Sequence, residues 1–204
     1  MKPKATHDNF PDLHAVKMAD LAPRDRVLRT ALDLFYAHGV HSVGVDRIIA
    51  ESGVAKMTFY RHFPSKSKLI SAYLAYQSQV WRQLFDRFTG DPARPALDRL
   101  LGIFDAVAVY IRHPAFQGCP FIKGMAEFGP ERGEPEVRRQ ITDHFAGGER
   151  LVTELLKEIR PKDAKKFIQP MLSLISGTIV VAHATGHTDV AGQNKEFAKR
   201  LLTL

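Results

Sequence analysis

Within the seven residues Lys56–His62 the chain places Lys56, Met57, Thr58, Tyr60, Arg61 and His62, and Lys66 follows four residues later. Ammonium and guanidinium groups neutralise phosphates, and a guanidinium can also bridge two acceptors on the edge of a guanine. Hydroxyls of Thr58 and Tyr60 can donate to phosphate oxygens, while methionine and tyrosine offer apolar surface to a base. An outward tyrosine and methionine beside cations suit a groove-reading surface better than a plain solvated face. No residue set along the chain supplies nucleophile, base and orienter together, and no Gly-x-Ser-x-Gly, phosphate-loop, dinucleotide or His-Glu-x-x-His pattern occurs. The chemistry in reach is recognition, and the expected object is a nucleic acid.

The elements that must position these groups are short. An apolar segment from about Gly44, with Ile48 and Ile49 turned inward, reaches a glycine turn at Ser52-Gly53-Val54. The polar and aromatic segment follows and is stopped by Phe63-Pro64. Two short helices about a tight glycine turn read as a helix-turn-helix, over residues 44–63. The second is too short to be stable alone. Phe59 and Phe63, four apart, are the anchors expected to face a core. A preceding helix from Pro23 to Gly39 supplies that core through Val27, Leu28, Ala31, Leu32, Leu34 and Phe35. Arg24, Arg26 and Arg29 lie near its start, where cations oppose the helix dipole; they serve a phosphate or are solvated surface groups. Residues 1–22 read as a flexible arm, with Lys2, Lys4 and Lys17 offset by Asp8, Asp12 and Asp20.

Beyond Pro64, Ser65 is a good N-cap for a long fourth helix to about Phe88. Helical periodicity then marks Ala96–His113, Ile122–Phe128, Glu136–Arg160, Lys162–Gly186 and Lys195–Leu204, with a kink at 116–121 and a loop from Gly129 to Pro135. No alternating strand pattern appears. The fold class expected is all-α: a three-helix head over 23–68, joined by a long helix to a helical body within 69–204. Trp81, Phe85, Phe104, Tyr110, Phe116, Phe121, Met125 and Phe128 are the residues expected to line an apolar pocket, with ordinary core packing the other reading for any one of them. Phe167–Ala184 is apolar almost all round and carries small residues at Ser173, Ser176, Gly177 and Ala184. With Phe197, Leu201 and Leu202 of the last helix it forms either a dimer interface or plain core.

Composition bounds the rest. Of 204 residues, 45% are hydrophobic and 25% charged, which excludes disorder across the whole chain. The net charge of +7 permits an anionic partner without requiring one. One cysteine, Cys119, excludes an intramolecular disulfide and a cysteine-based zinc cluster. It has no adjacent cation and reads as inert and partly buried. His183 and His187 have a usable ligand spacing, yet only Asp189 is near to complete a set, so no metal and no cofactor are expected. The apolar run Met171–Ala182 is interrupted by serines, a glycine and a threonine and reads as too short for a membrane span; the chain is expected to be soluble and cytoplasmic.

The run Arg24–Leu74 resembles the DNA-binding head of the TetR family of one-component transcription regulators. Ala31, Phe35, Gly39, Ile48, Gly53-Val54, Thr58, Tyr60, Phe63 and Lys66–Leu69 carry the match, in order and at fixed spacing. The resemblance implies a homodimer whose heads bind a double-stranded DNA operator. It also implies a body that holds a small-molecule effector and the dimer interface. Lys56, Met57 and Thr58 then face base edges, Tyr60, His62 and Lys66 hold phosphates, and Arg61 reads a guanine or holds a phosphate. Gly44 and Ala55 depart from the family's frequent threonine and serine caps. The competing expectation is a helical small-molecule binding protein without DNA-binding activity.

Overall fold

The computed structural model describes residues 13–128 and 134–203, so residues 1–12 of the expected arm and most of the expected 129–135 loop lie outside it. Helices are the only regular secondary structure among the described residues, with no strands. They divide into two compact units, with the boundary between Tyr73 and Leu74.

In the first unit, α1 (Pro23–His38) starts with proline in its first turn, where a missing N–H costs nothing. It buries Val27, Leu28, Ala31, Leu32, Leu34 and Phe35, the stripe set by its periodicity. α2 (Val45–Ser52) and α3 (Lys56–His62) pack on α1. Gly53, at φ 64°, closes α2 in the left-handed region that glycine enters without a Cβ clash. Neither Gly44 nor Ala55 supplies a side-chain cap, so α3 depends on packing. Phe59 and Phe63 provide it: both are buried, with ring centroids 6.2 Å apart.

The stretch before α1 differs from the flexible arm expected over 1–22. Leu13 is buried and Met18–Asp20 form a 3-10 turn. His14 Nε2 meets an Asp33 carboxylate oxygen at 2.8 Å, and Arg29 donates to the Val16 carbonyl. A buried leucine plus two anchors on α1 hold residues 13–20 against the head. One of the three cations near the start of α1 thus serves the protein's own backbone.

α4 (Lys66–Thr89) is a single helix that runs across the boundary. The Lys68 N–H donates to Ser65 Oγ, the cap expected there. The second unit continues with α5 (Ala96–Ile111), α6 (Pro120–Phe128), α7 (Pro135–Ile159), α8 (Lys165–Thr185) and α9 (Val190–Thr203). α9 begins five residues earlier than its periodicity announces. α5 is the hub, packed against α7, α8 and α9. Its Leu100, Leu101, Ile103 and Phe104 meet Leu155 and Leu156 of α7 and Met171 of α8 in one core. Lys195 on α9 ties both Asp105 carboxylate oxygens at 2.7 Å, and Asn194 donates to Thr178 at 2.8 Å.

α8 extends past the apolar run Met171–Ala182 at both ends. The whole helix has 21 residues, with a window of mean hydropathy 1.5, and is long and apolar enough to cross a membrane by length and composition. Only 22% of that window is buried inside the chain, and the buried residues include Met171, Thr178, Ile179 and Ala182. The burial expected on several sides is therefore not supplied by this chain's own helices.

Candidate nucleic-acid interface and effector site

α3 places its groups as its spacing requires. Phe59 points into the head, and Tyr60 packs its edge on Phe59 with centroids 5.2 Å apart. Met57 is 86% exposed and Tyr60 43%. Lys56 and Arg61 are exposed beside them, with Thr58, His62 and Lys66 half-buried. A methionine this exposed gains nothing from the fold; its surface is available to a partner. Lys56 Nζ lies 3.4 Å from Asp46 at the start of α2, an exposed pair that restrains the ammonium only weakly. Arg24 sits over the Phe63 ring, 5.4 Å from its centroid, bracing the end of α3 from α1. Asp46 was not evident as a neighbour of Lys56 from the sequence, since ten residues and a turn separate them.

The second unit gathers a chain of rings from five helices and the kink. Trp81 of α4 lies 5.1 Å from Phe85 and 4.3 Å from Tyr110 of α5, centroid to centroid. Tyr110 meets Phe116 at 5.4 Å, and Phe116 meets His183 of α8 at 5.8 Å. Phe121 of α6 stacks flat on His144 of α7, 3.5 Å apart and 3° from parallel. His144 is also edge-on to Trp81 at 6.3 Å and to Phe145 at 5.5 Å. Of the residues expected to line a pocket, Trp81, Phe85, Tyr110, Phe116 and Phe121 are thus joined. Phe104 belongs instead to the core around Leu100 and Leu155, Phe128 is buried on α6, and Met125 is exposed.

The kink that carries Phe116 and Phe121 depends on Gly118. Its φ of 87° is left-handed, and a Cβ there would lie 3.1 Å from His183 Cγ. Its carbonyl accepts a hydrogen bond from the Tyr110 hydroxyl at 2.9 Å. Cys119 beside it is buried, and burial pushes its thiol pKa up even though the Ile122 and Phe121 N–H groups pull it down. That is an unreactive thiol.

His144 was absent from the sequence expectations. It stands seven residues after Val137 and three after Ile141, in register with the buried stripe of α7, and that position is the signal that marks it. Burial, reinforced by the Arg82 guanidinium, lowers its pKa to about 4, so the imidazole is neutral at neutral pH. Trp81 is 2% exposed, and its Nε1 has no hydrogen-bond partner among the described residues. His183, considered as a metal ligand from its spacing, packs against Phe116 and Gly118.

A short outward helix of cations and apolar contacts, held by a glycine turn on a three-helix head, is a helix-turn-helix. Residues 27–73 match the family described as bacterial regulatory proteins, tetR family. A TetR-family transcriptional regulator of Streptomyces coelicolor is similar in structure, with a TM-score of 0.82 and 31% identity over 89% of this chain and 94% of that one. A TetR transcriptional regulator of Chloroflexus aurantiacus shares the fold, with a TM-score of 0.77 at 20% identity over 89% of this chain and 94% of the other. The HTH-type transcriptional regulator YxaF of Bacillus subtilis is 28% identical over 50% of this chain, and the match spans 51% of that protein's length. The chain belongs to the TetR family of DNA-binding transcription regulators.

Proposed function

We propose that this protein is a homodimeric repressor that binds a near-palindromic operator and is released from it by a small molecule. The observation that carries the reading is α3: its apolar anchor is buried while its methionine, tyrosine and cations stay outward. Residues 23–68 form the DNA-binding head in this reading, and 69–204 serve effector binding and dimerisation. Lys56, Met57 and Thr58 face base edges; Tyr60, His62 and Lys66 hold phosphates; Arg61 takes a guanine or a phosphate. Two heads enter successive major grooves, ~34 Å apart.

The dimer forms through Phe167–Ala184 and the last helix. Val180 and Val181 of α8 are exposed, as is Phe197 of α9 at 57%. Three large apolar side chains exposed on two adjacent packed helices support a partner there. α4 links sensing to binding: Trp81 stands fifteen residues after Lys66, about 22 Å along one continuous helix. An effector that displaces Trp81 moves α4 and with it the recognition helices. Effector and operator then weaken each other's binding by the same factor.

The test is selection of bound duplexes from random DNA, followed by sedimentation of the protein with and without the selected site. An inverted repeat bound by a dimer is the expected result, with affinity falling steeply between low and moderate salt. Failure to enrich any sequence, or a strict monomer at micromolar concentration, would overturn the reading.

A further inference from the structure

We infer that the aromatic cluster of the second unit takes a planar, uncharged aromatic molecule bearing a carbonyl oxygen, which accepts a hydrogen bond from Trp81 Nε1. The inference rests on the effector reading above and narrows it to a chemical class. An indole N–H is a donor only, and buried donors are almost always paired. Trp81 is 2% exposed and Nε1 has no partner among the described residues. The rings around it do not serve: Phe85 has no acceptor, and Nε1 is bonded neither to the Tyr110 oxygen, whose proton goes to the Gly118 carbonyl, nor to His144, whose ring centroid is 6.3 Å away. A guest that brings an acceptor removes a defect the ligand-free protein carries, which is a gain specific to the bound state.

Shape and charge narrow the guest further. Phe121 and His144 lie 3.5 Å apart and 3° from parallel, so these helices already hold flat rings face to face. A planar guest can extend or replace that stack, and a carbonyl accepts in its own plane, the direction in which an indole N–H approaches edge-on. A cation is disfavoured. The charge that acts on His144 is the Arg82 guanidinium, and the neighbouring rings bring no carboxylate against it.

The protein's one tryptophan makes the test direct, because intrinsic fluorescence reports Trp81 itself. The full chain is titrated with 9-fluorenone, with fluorene as the same frame without the carbonyl, and with N-methylacridinium as a flat cation. Calorimetry repeats the titrations on Trp81→Phe, which keeps a ring and removes the donor. Fluorenone is expected to quench Trp81 and to bind roughly three- to tenfold tighter than fluorene, the range of one neutral hydrogen bond. Trp81→Phe is expected to bring the two tricycles to equal affinity, whatever the smaller ring does to both in common. Equal affinity for the two tricycles, a margin that survives Trp81→Phe, tighter binding of the cation, or no binding of either tricycle each overturns the inference. An operator complex released by some other compound, with equal potency in Trp81→Phe, keeps the effector reading and removes the carbonyl class.

Discussion

The two units arrange their rings and polar groups in opposite senses. In the head, rings face inward and polar groups face out: Phe59 is buried, while Met57, Tyr60, Lys56 and Arg61 stand in solvent on the same seven-residue helix. In the body the rings and the polar atoms are inside together, with the Trp81 donor and the neutral His144 among aromatic side chains. In the proposed reading, the difference follows from the partner. A phosphate-lined duplex is met at a charged surface, whereas a small apolar molecule is met where water is excluded.

The sharpest way to separate the two is Phe59→Ala. Truncating a fully buried phenylalanine costs about 3–5 kcal/mol, and α3 has no side-chain cap to compensate. The head is expected to lose helical circular dichroism at lower temperature while Trp81 fluorescence, which reports the body, keeps its midpoint. A common midpoint would show that the units melt as one.

The half-buried imidazole gives the next effect. Below its ordinary pKa of 6.5 the unfolded chain takes up a proton on His144 that the folded chain refuses until about pH 4. Stability therefore falls as pH drops through that window, by up to about 3 kcal/mol, and is unaffected by this group above it. His144→Phe keeps an aromatic ring on Phe121 and should flatten the slope of unfolding free energy between pH 6.5 and pH 4, measured by denaturant titration. An unchanged slope would place the imidazole in water.

On the head, Arg61→Ala and Lys56→Ala test the outward groups at constant fold. Whichever residue reads a base should lose ~1–3 kcal/mol of operator discrimination, and a phosphate contact should instead lower the salt slope by about one. Mobility-shift titrations on matched and single-substituted sites distinguish the two. Full affinity in both variants would remove α3 from the interface.

Asp46→Ala is the smallest perturbation. The exposed pair with Lys56 is worth under about 1 kcal/mol, so melting should scarcely move. Removing a carboxylate 3.4 Å from Lys56 Nζ should raise operator affinity, by up to ~5-fold for a pair of that strength. A fall in affinity would instead make Asp46 the group that aims Lys56.

The head was legible because its signals are local. Pro23, Gly53, Phe63-Pro64 and Ser65 start and stop helices through their own backbone chemistry, and the Phe59–Phe63 spacing orients α3 without knowledge of anything distant. The body was legible only as helices. Its ring cluster joins residues up to 102 positions apart, from Trp81 to His183, and periodicity cannot tell a ring that meets other rings from one that meets leucines. Phe104 and Phe116 read alike in the chain, yet one lies in the aliphatic core and the other in the ring chain.

By itself, then, the amino-acid order determined the helical class, the outward character of Lys56–His62 and the apolar excess of α8. Each depends on residues within one or two turns of each other. Only the tertiary structure decided that Leu13–Asp20 docks on α1, that His144 lies flat on Phe121 and that the Trp81 N–H meets no acceptor among the described residues. Those outcomes are set by which surfaces meet when helices pack, and a buried donor acquires or loses its partner only then.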